Sequence, residues 1–328
     1  MTLPTMTIVA LALLSAGCTH TQVVKTAAPP APPALTVWDR QVRNAVDAGE
    51  GDIHFKQLRE KVAAEPDNIT ARLELAKAYR ERGYHEIALE ISRLAVARFP
   101  DSGPAQLSLV RDLRDVNRRD EAITGLEAFL KAHSQTGAEY YSWLGILRDE
   151  TNLWALGEPA HRKAIELSPA TDYLHNNLGY NLFMQKKHTE ATSEFREALR
   201  LNPASELARN NLGLALANSD AAAQAVASWQ STSGPASAHN NLAVVWMEKG
   251  NYAEARKELE LALGFDKTNA AILKNLELVG RMSGSPATVA LQSAPATRWT
   301  RMKKSVKHLF VGPLEEPPKD VAKTASSQ

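Results

Sequence analysis

Between residues 37 and 282, apolar and small residues recur as a block rather than as isolated amphipathic stretches. A leucine followed by a small residue stands at Leu75-Ala76, Leu144-Gly145, Leu178-Gly179, Leu212-Gly213 and Leu242-Ala243, and Leu109-Val110 fills the remaining place. The leucines are 34, 35, 34, 34 and 30 residues apart. Thirteen residues after each comes Ala88, Ala122, Ala191, Ala225 or Ala255, with Gly157 in that role in the third full unit. Prolines recur at Pro66, Pro100, Pro169 and Pro203. A fixed period of this length is the signature of a repeat architecture, each repeat a pair of helices.

Each recurring residue has a physical task. The leucine and its small neighbour belong on the first helix of a pair, where the small side chain lets the second helix approach. The alanine on the second helix faces it, and the proline stops that helix before the next unit begins. Gly83 and Gly250 end first helices. One pair cannot bury its apolar face alone, so successive pairs must stack. The second full unit is degenerate, with no closing proline and with Phe129 where alanine is usual. The fifth is four residues short, and its second helix is expected to stop around Trp229–Ser233, at Gly234-Pro235. A last helix near Asn269–Met282 reads as a cap.

Composition agrees with helices. Hydrophobic residues reach 44% while aromatics are 6%, and leucine and alanine lose little freedom in a helix whereas strands favour β-branched and aromatic residues. The net charge of +1 gives no field that gathers nucleic acid, and no nucleic-acid partner is expected. The sequence contains no G-x-x-x-x-G-K-[ST], H-E-x-x-H, G-x-S-x-G or paired C-x-x-C. Its nine histidines are scattered without a close ligand pair, so neither an enzyme nor a metal or other cofactor is expected.

The motif resembles the tetratricopeptide repeat (TPR). Tyr79, Gly83, Ala88, Ala95 and Pro100 fit it in the first full unit, and Leu178, Gly179, Ala191, Phe195, Ala198 and Pro203 in the fourth. A degenerate unit precedes them, with Trp38 in the tryptophan slot and Pro66 at its end. The resemblance implies an all-α fold, a right-handed TPR superhelix of six to seven helix pairs over residues 37–282 with a C-terminal capping helix, built to hold other proteins.

The flanking segments carry different signals. The first seventeen residues are uncharged, contain the run Ile8-Val9-Ala10-Leu11-Ala12-Leu13-Leu14 and end at Ser15-Ala16-Gly17 before Cys18, the only cysteine. The run is too short for a bilayer span and suits a signal peptide over residues 1–17. The box before Cys18 resembles that of bacterial lipoproteins, which implies lipidation of Cys18 and, with Thr19 following, an outer-membrane anchor facing the periplasm. Residues 18–36 then form a spacer stiffened by Pro29, Pro30, Pro32 and Pro33. Residues 283–328 leave the repeat pattern and read as a largely disordered tail with seven Lys or Arg against three Asp or Glu. Within it, residues 298–310 place Trp299, Met302, Val306 and Leu309 on one helical face. That basic segment suits an anionic membrane surface, a partner's groove or the end of the solenoid.

The sharpest candidate for binding is a line of asparagines. His175-Asn176-Asn177-Leu178, Arg209-Asn210-Asn211-Leu212, His239-Asn240-Asn241-Leu242 and Lys274-Asn275-Leu276 repeat one phrase. Asn177, Asn211, Asn241 and Asn275 occupy one slot on successive first helices, and stacking sets them in a row. An amide donates and accepts, so such a ladder can grip the backbone of an extended peptide without reading its side chains; some TPR proteins carry one. The same residues can instead tie adjacent helices together. Asn176, Tyr180, Met184, Asn210 and Asn240 are further groove candidates, with Tyr180, Phe183 and Met184 forming either a side-chain pocket or core.

The layout of signal, spacer and repeats is similar to the TPR lipoprotein of the Tad (Flp) pilus system and to the pilotin of type IV pili. The similarity implies a scaffold for assembly of a pilus or secretion apparatus, with secretin or pilus components as partners. An adaptor for peptidoglycan enzymes is the other reading. Lipidation is directly testable. Cys18→Ala should abolish metabolic labelling with a fatty-acid probe and move the protein from the membrane to the soluble fraction, and unchanged fractionation would refute the anchor.

Overall fold

The computed structural model describes residues 52–133 and 136–284. Every regular element among them is a helix. In chain order they are α1 (Ile53–Ala64), α2 (Ile69–Glu81), α3 (His85–Arg98), α4 (Gly103–Asp115), α5 (Arg119–Ala132), α6 (Ala138–Glu150) and α7 (Trp154–Leu167). They continue as α8 (Asp172–Met184), α9 (His188–Leu201), α10 (Glu206–Asn218), α11 (Ala222–Glu248), α12 (Tyr252–Phe265) and α13 (Ala270–Met282). The signal segment, Cys18, the spacer, Trp38 and the tail beyond Gly284, with its basic segment, lie outside the described residues. Units one to four are the pairs α2–α3, α4–α5, α6–α7 and α8–α9. Helix α1 is the second helix of the preceding unit, and α13 is the cap.

Helix α11 is two helices in one. Gly234 interrupts it with φ 79° and ψ 169°, and Pro235 opens the next turn at once. Unit five is therefore α10 with residues 222–233, and unit six is residues 235–248 with α12. Proline without an N–H suits a first helical position, and only glycine tolerates the backbone at 234. The expected stop is thus met, but with no linker behind it. Three of the other first helices and the cap helix open on a side-chain cap, whereas α6 and α8 do not. Asn68, Ser102, Ser205 and Asn269 each accept a hydrogen bond from a backbone N–H in the first turn, which satisfies donors a helix leaves free.

Within each unit the chain reverses through one left-handed residue. Gly83, Asn117, Asn152, Lys186, Asp220 and Gly250 all have φ between 60° and 84°, and they follow the repeat leucines by eight residues. In each case the next N–H reaches back five residues to a carbonyl, as in Tyr84 to Tyr79 (2.9 Å) and Lys187 to Leu182 (2.9 Å), which closes the helix end. The prolines stand two residues past the last turn of α1, α3, α7 and α9.

The glycine after the leucine decides how the two helices meet. A Cβ added at Gly145 would lie 2.5 Å from the His161 ring, at Gly179 2.7 Å from Phe195, and at Gly213 2.4 Å from Trp229. His161, Phe195 and Trp229 follow those glycines by sixteen residues, and all are buried. One main cluster of buried residues runs from Leu89 in α3 to Val245 in α11. Smaller clusters lie at the ends, around Phe55, Leu75 and Tyr79 and around Leu259, Ile272 and Leu276.

Gly179→Ala should destabilise the full chain by about 1–3 kcal/mol, because the methyl overpacks the ring of Phe195. Pairing it with Phe195→Leu should recover part of the loss, giving non-additive midpoints in urea denaturation.

Candidate peptide-binding face

The first helices of consecutive units pack on one another as well as on their own second helices, in the pairs α2 with α4, α4 with α6, α6 with α8, α8 with α10 and α11 with α13. Equivalent positions on these helices therefore come into line, and the asparagine phrase falls on that line.

The structure places the asparagines deeper than an exposed ladder would be. Asn177 and Asn176 are buried, Asn211 and Asn241 are 5% exposed, and Asn210, Asn240 and Asn275 are half-buried. Two amide pairs bridge adjacent units: Asn211 Nδ2 donates to Asn176 Oδ1 at 3.0 Å, and Asn275 Nδ2 donates to Asn240 Oδ1 at 2.9 Å. In both, the second slot of one unit joins the first slot of the unit before it. Part of the amide line thus ties helices together, and a tied amide still keeps acceptor and donor capacity.

The aromatic candidates separate. Tyr180 is buried in the main core, its ring edge-on to Trp154 at 5.9 Å. Burial and the Asp149 charge push its phenol up to about 12. Phe183 packs against the same core and lies 5.2 Å from the His188 ring. Met184 is 40% exposed. Half-buried Tyr173, Leu207, Leu214 and Val244 complete an amide-lined and apolar surface on the first helices of units four to six, with exposed Glu248 in unit six at the slot that Met184 fills in unit four.

Units two and three present the reverse. Arg111 pairs with Glu139 at 2.7 Å, and Arg114 and Arg119 pair with Glu150 at 2.6 and 2.8 Å. Both Arg111 and Arg114 lie over the Trp143 ring, at 5.4 and 5.5 Å. These guanidinium groups already have carboxylate partners, which distinguishes this half from a site poised for an incoming anion.

Two buried polar networks carry no signal in the sequence. In one, Ser92 Oγ donates to Asp112 at 2.5 Å and lies 2.8 Å from Ser108 Oγ, while Arg80 pairs with Asp112 at 3.1 Å. Burial outweighs Arg80 and Ser92 and pushes the Asp112 carboxyl up to about 6. In the other, His161 Nε2 meets Asp149 Oδ2 at 2.8 Å, and Asn181 Nδ2 donates to Asp149 Oδ1 at 2.6 Å. Burial raises Asp149 despite both partners. Nearby, burial alone would raise Glu158, but hydrogen bonds from Lys187, Gln185 and Arg162 carry it down to about 2. Among the described residues, no group of three or more His, Cys, Asp or Glu is arranged to hold a metal.

The tryptophan slot has a new use. Arg72 donates to the Pro66 carbonyl at 2.8 Å, His175 to that of Pro169 at 3.0 Å, and Arg209 to that of Pro203. A donor on the first helix thus latches the turn just before it. His175 also meets Glu194 at 2.8 Å through its other ring nitrogen. Burial opposes protonation, but the Glu194 carboxylate and the Pro169 carbonyl together raise the His175 pKa.

Sequence comparison identifies tetratricopeptide repeats at residues 172–205 and 207–270, the units that carry the amide line. No curated protein matches the sequence. Among solved structures, the C-terminal part of a TPR repeat-containing protein from Cytophaga hutchinsonii is 14% identical, covering 72% of this chain and 98% of its own, with a TM-score of 0.53. A tetratricopeptide repeat protein from Parabacteroides merdae is 14% identical over 73% of this chain and 96% of its own, with a TM-score of 0.51. In the APC/C hetero-tetramer Cut9-Hcn1 a chain is 17% identical over 73% of this one, with a TM-score of 0.52, and this chain spans about half of its length (48%). At these identities the likeness is one of fold. The described residues form an all-α tetratricopeptide-repeat solenoid. Solenoids of this class are typically non-catalytic frames that bind other proteins or peptides.

The doubly bonded His175 makes stability pH-dependent. Its folded-state pKa lies above the unfolded value, so its contribution is complete below the unfolded pKa and is lost as pH rises through the folded one. His188, lowered chiefly by burial and also by Lys249 and Lys186, acts with the opposite sign, so the variant must be compared with the parent. Thermal melts of the full chain from about pH 5 to 8.5 should show a fall in the parent that is shallower in His175→Gln.

Proposed function

We infer that the chain is a periplasm-facing scaffold, anchored in the outer membrane through a lipid on Cys18, that holds extended segments of partner proteins during assembly of a pilus or secretion apparatus. The observation that carries the binding part is the amide-lined, apolar face of units four to six. Amides repeat there at one slot of successive first helices, between half-buried apolar side chains. Amides supply backbone recognition and the apolar neighbours supply contact area. Each such hydrogen bond adds about 0.5–1.5 kcal/mol net, so a few rungs give weak, sequence-tolerant binding. That suits a protein that guides assembly and then lets go.

The anchor is supported by the apolar run that ends at the sole cysteine. The pilus assignment is supported by the order of signal, spacer, repeats and clipped fifth unit, a layout similar to Tad-type TPR lipoproteins. An adaptor for peptidoglycan enzymes shares the anchor and the frame and differs only in the partner.

A photocrosslinking amino acid at Met184, on the exposed edge of the face, should capture secretin or pilus-assembly components in cells. The same probe at Leu94, 60% exposed on a second helix, serves as the control. Recovery of peptidoglycan hydrolases alone from the Met184 position would overturn the pilus reading in favour of the adaptor.

A further inference from the structure

Helix α13 ends the described array, yet it carries the marks of a first helix whose second helix is still to come. It spans six residues on either side of Leu276, as α2, α4, α6, α8 and α10 do about their own repeat leucines. Its Asn275 is tied to Asn240 of the preceding first helix. Eight residues past Leu276 stands Gly284 with φ 69°, in the left-handed slot that turns the chain in each of the six units before it. In all six, the second helix begins two residues after that slot. The same offset here falls on Pro286, with Ser285 before it. Serine suits an N-cap and proline the first helical position, and Pro295 would stop such a helix at Ala294.

Three pairs of slots join a first helix to its own second helix. The residue three before the leucine meets the one sixteen after it: His175 with Glu194 at 2.8 Å, His239 with Glu258 at 2.7 Å, and the Arg209 carbonyl with the Ser228 hydroxyl at 2.9 Å. In the register of Leu276 these slots hold Leu273 and Gln292, so the histidine and the glutamate are replaced together by uncharged residues. The residue after the leucine faces the one seventeen past the leucine, as Gly179 faces Phe195 and Gly213 faces Trp229. Here half-buried Glu277 would face Ser293, a long side chain against a short hydroxyl that can donate to its carboxylate. Ser92 in the same slot donates to Asp112. Four residues past the leucine, Tyr79 lies edge-on to Tyr84 and Arg148 donates to the Leu156 carbonyl, each reaching over the start of its own second helix. In α13 that slot is Gly280, a poor helix residue that leaves room for a proline ring.

We propose that residues 286–294 form a short second helix against α13, completing a seventh unit, so that the array is closed by its own chain. The segment itself lies outside the described residues, and the turn at Gly284 and the slots on α13 fix its register. It contains no charged residue, which suits it to the side of a helix where Leu273 replaces a histidine. Nine residues are too few to hold a helix alone in water, so it would be helical only when docked. A bare first helix offers the same face to a neighbouring molecule, and stacking of that kind extends without closing. The tether through Gly284 favours the chain's own segment, because it supplies an effective concentration that a separate copy does not reach. The inference is independent of what the groove of units four to six holds.

A disulfide register scan tests it in the full chain carrying Cys18→Ser, so that the introduced pair holds the only thiols. Glu277→Cys is combined in turn with Leu291→Cys, Gln292→Cys, Ser293→Cys and Ala294→Cys. In a glutathione buffer the pair with Ser293→Cys should close with an effective concentration about tenfold above the others, since the two Cβ atoms must come within about 3.5–4.5 Å. A flat profile, or a maximum at another position, overturns the seventh unit. Closure that yields covalent dimers and rises with protein concentration overturns it in favour of a second copy. Hydrogen exchange supplies an independent readout. Ala290→Pro breaks a helix at its middle and should speed exchange of the α13 amides about tenfold while leaving α2 to α9 unchanged. Thr300→Pro, beyond the segment, should change neither. Equal protection of α13 in the parent and in Ala290→Pro would mean that the segment does not dock there, and the proposal fails.

Discussion

The close approach of two helices at a single glycine sets the rest of this structure. Gly145, Gly179 and Gly213 admit the rings of His161, Phe195 and Trp229 to positions that any Cβ would occupy. At the same spacing the other units place Ser92 after Ala76, Leu126 after Val110 and Leu259 after Ala243, all buried. The volume is shared between the two helices: where one gives up its side chain entirely, the other fills the space with a ring. Close-packed interiors require that balance. A repeated geometry within each unit is what carries the first helices into register, and only then do slots such as Asn176 and Asn211 meet across a unit boundary.

Much of this was legible in the sequence, because it depends on residues whose physical role is narrow. Leucine with a small neighbour, alanine thirteen residues on, proline after the second helix and Gly83 and Gly250 at turns each admit few interpretations. The four turns at Asn117, Asn152, Lys186 and Asp220 were hidden, since a lysine gives no sign of a left-handed backbone, which costs such a residue about 1–2 kcal/mol. The buried carboxylates were hidden for a related reason. Asp112 and Asp149 read as surface residues, the usual place for an aspartate, until Ser92 and His161 are brought in from the paired helix. The asparagine line was visible, but its use depends on whether an amide 35 residues away comes within hydrogen-bond distance, and periodicity does not carry that information. The segments that bear on membrane anchoring, including Cys18, lie outside the described residues.

The polar interior is graded along the array. In the first four units, carboxylates join helices through serine, arginine, histidine and asparagine. Burying such groups contributes little net stability, and removing one partner costs much more, so they penalise any other alignment of the helices. From unit four to the cap, the links between first helices are neutral amide pairs. A neutral pair costs less to desolvate and less to leave open. The half of the array that carries the amide line is thus also the half in which a polar link between units can be given up.

The shortened unit shows which forces tolerate that loss. Residues 235–248 still contribute Ala238, Leu242 and Val245 to the main core and Ala243 and Met247 to the C-terminal cluster. Apolar contact therefore survives on both sides of the break at Gly234. Hydrophobic packing is non-directional and accepts a shifted helix as long as volume is filled. A hydrogen bond between two short side chains accepts displacement of only a few tenths of an ångström. Shortening unit five by four residues acts on these two interactions unequally: the core closes again, while Asn210 and Asn241, the slots that match the pair Asn176 and Asn211, make no hydrogen bond with each other. The array thereby gains a local difference in an otherwise repeating surface without losing continuity of its core, and it does so through the residues absent between Ser233 and Pro235 rather than through any residue added to the face itself.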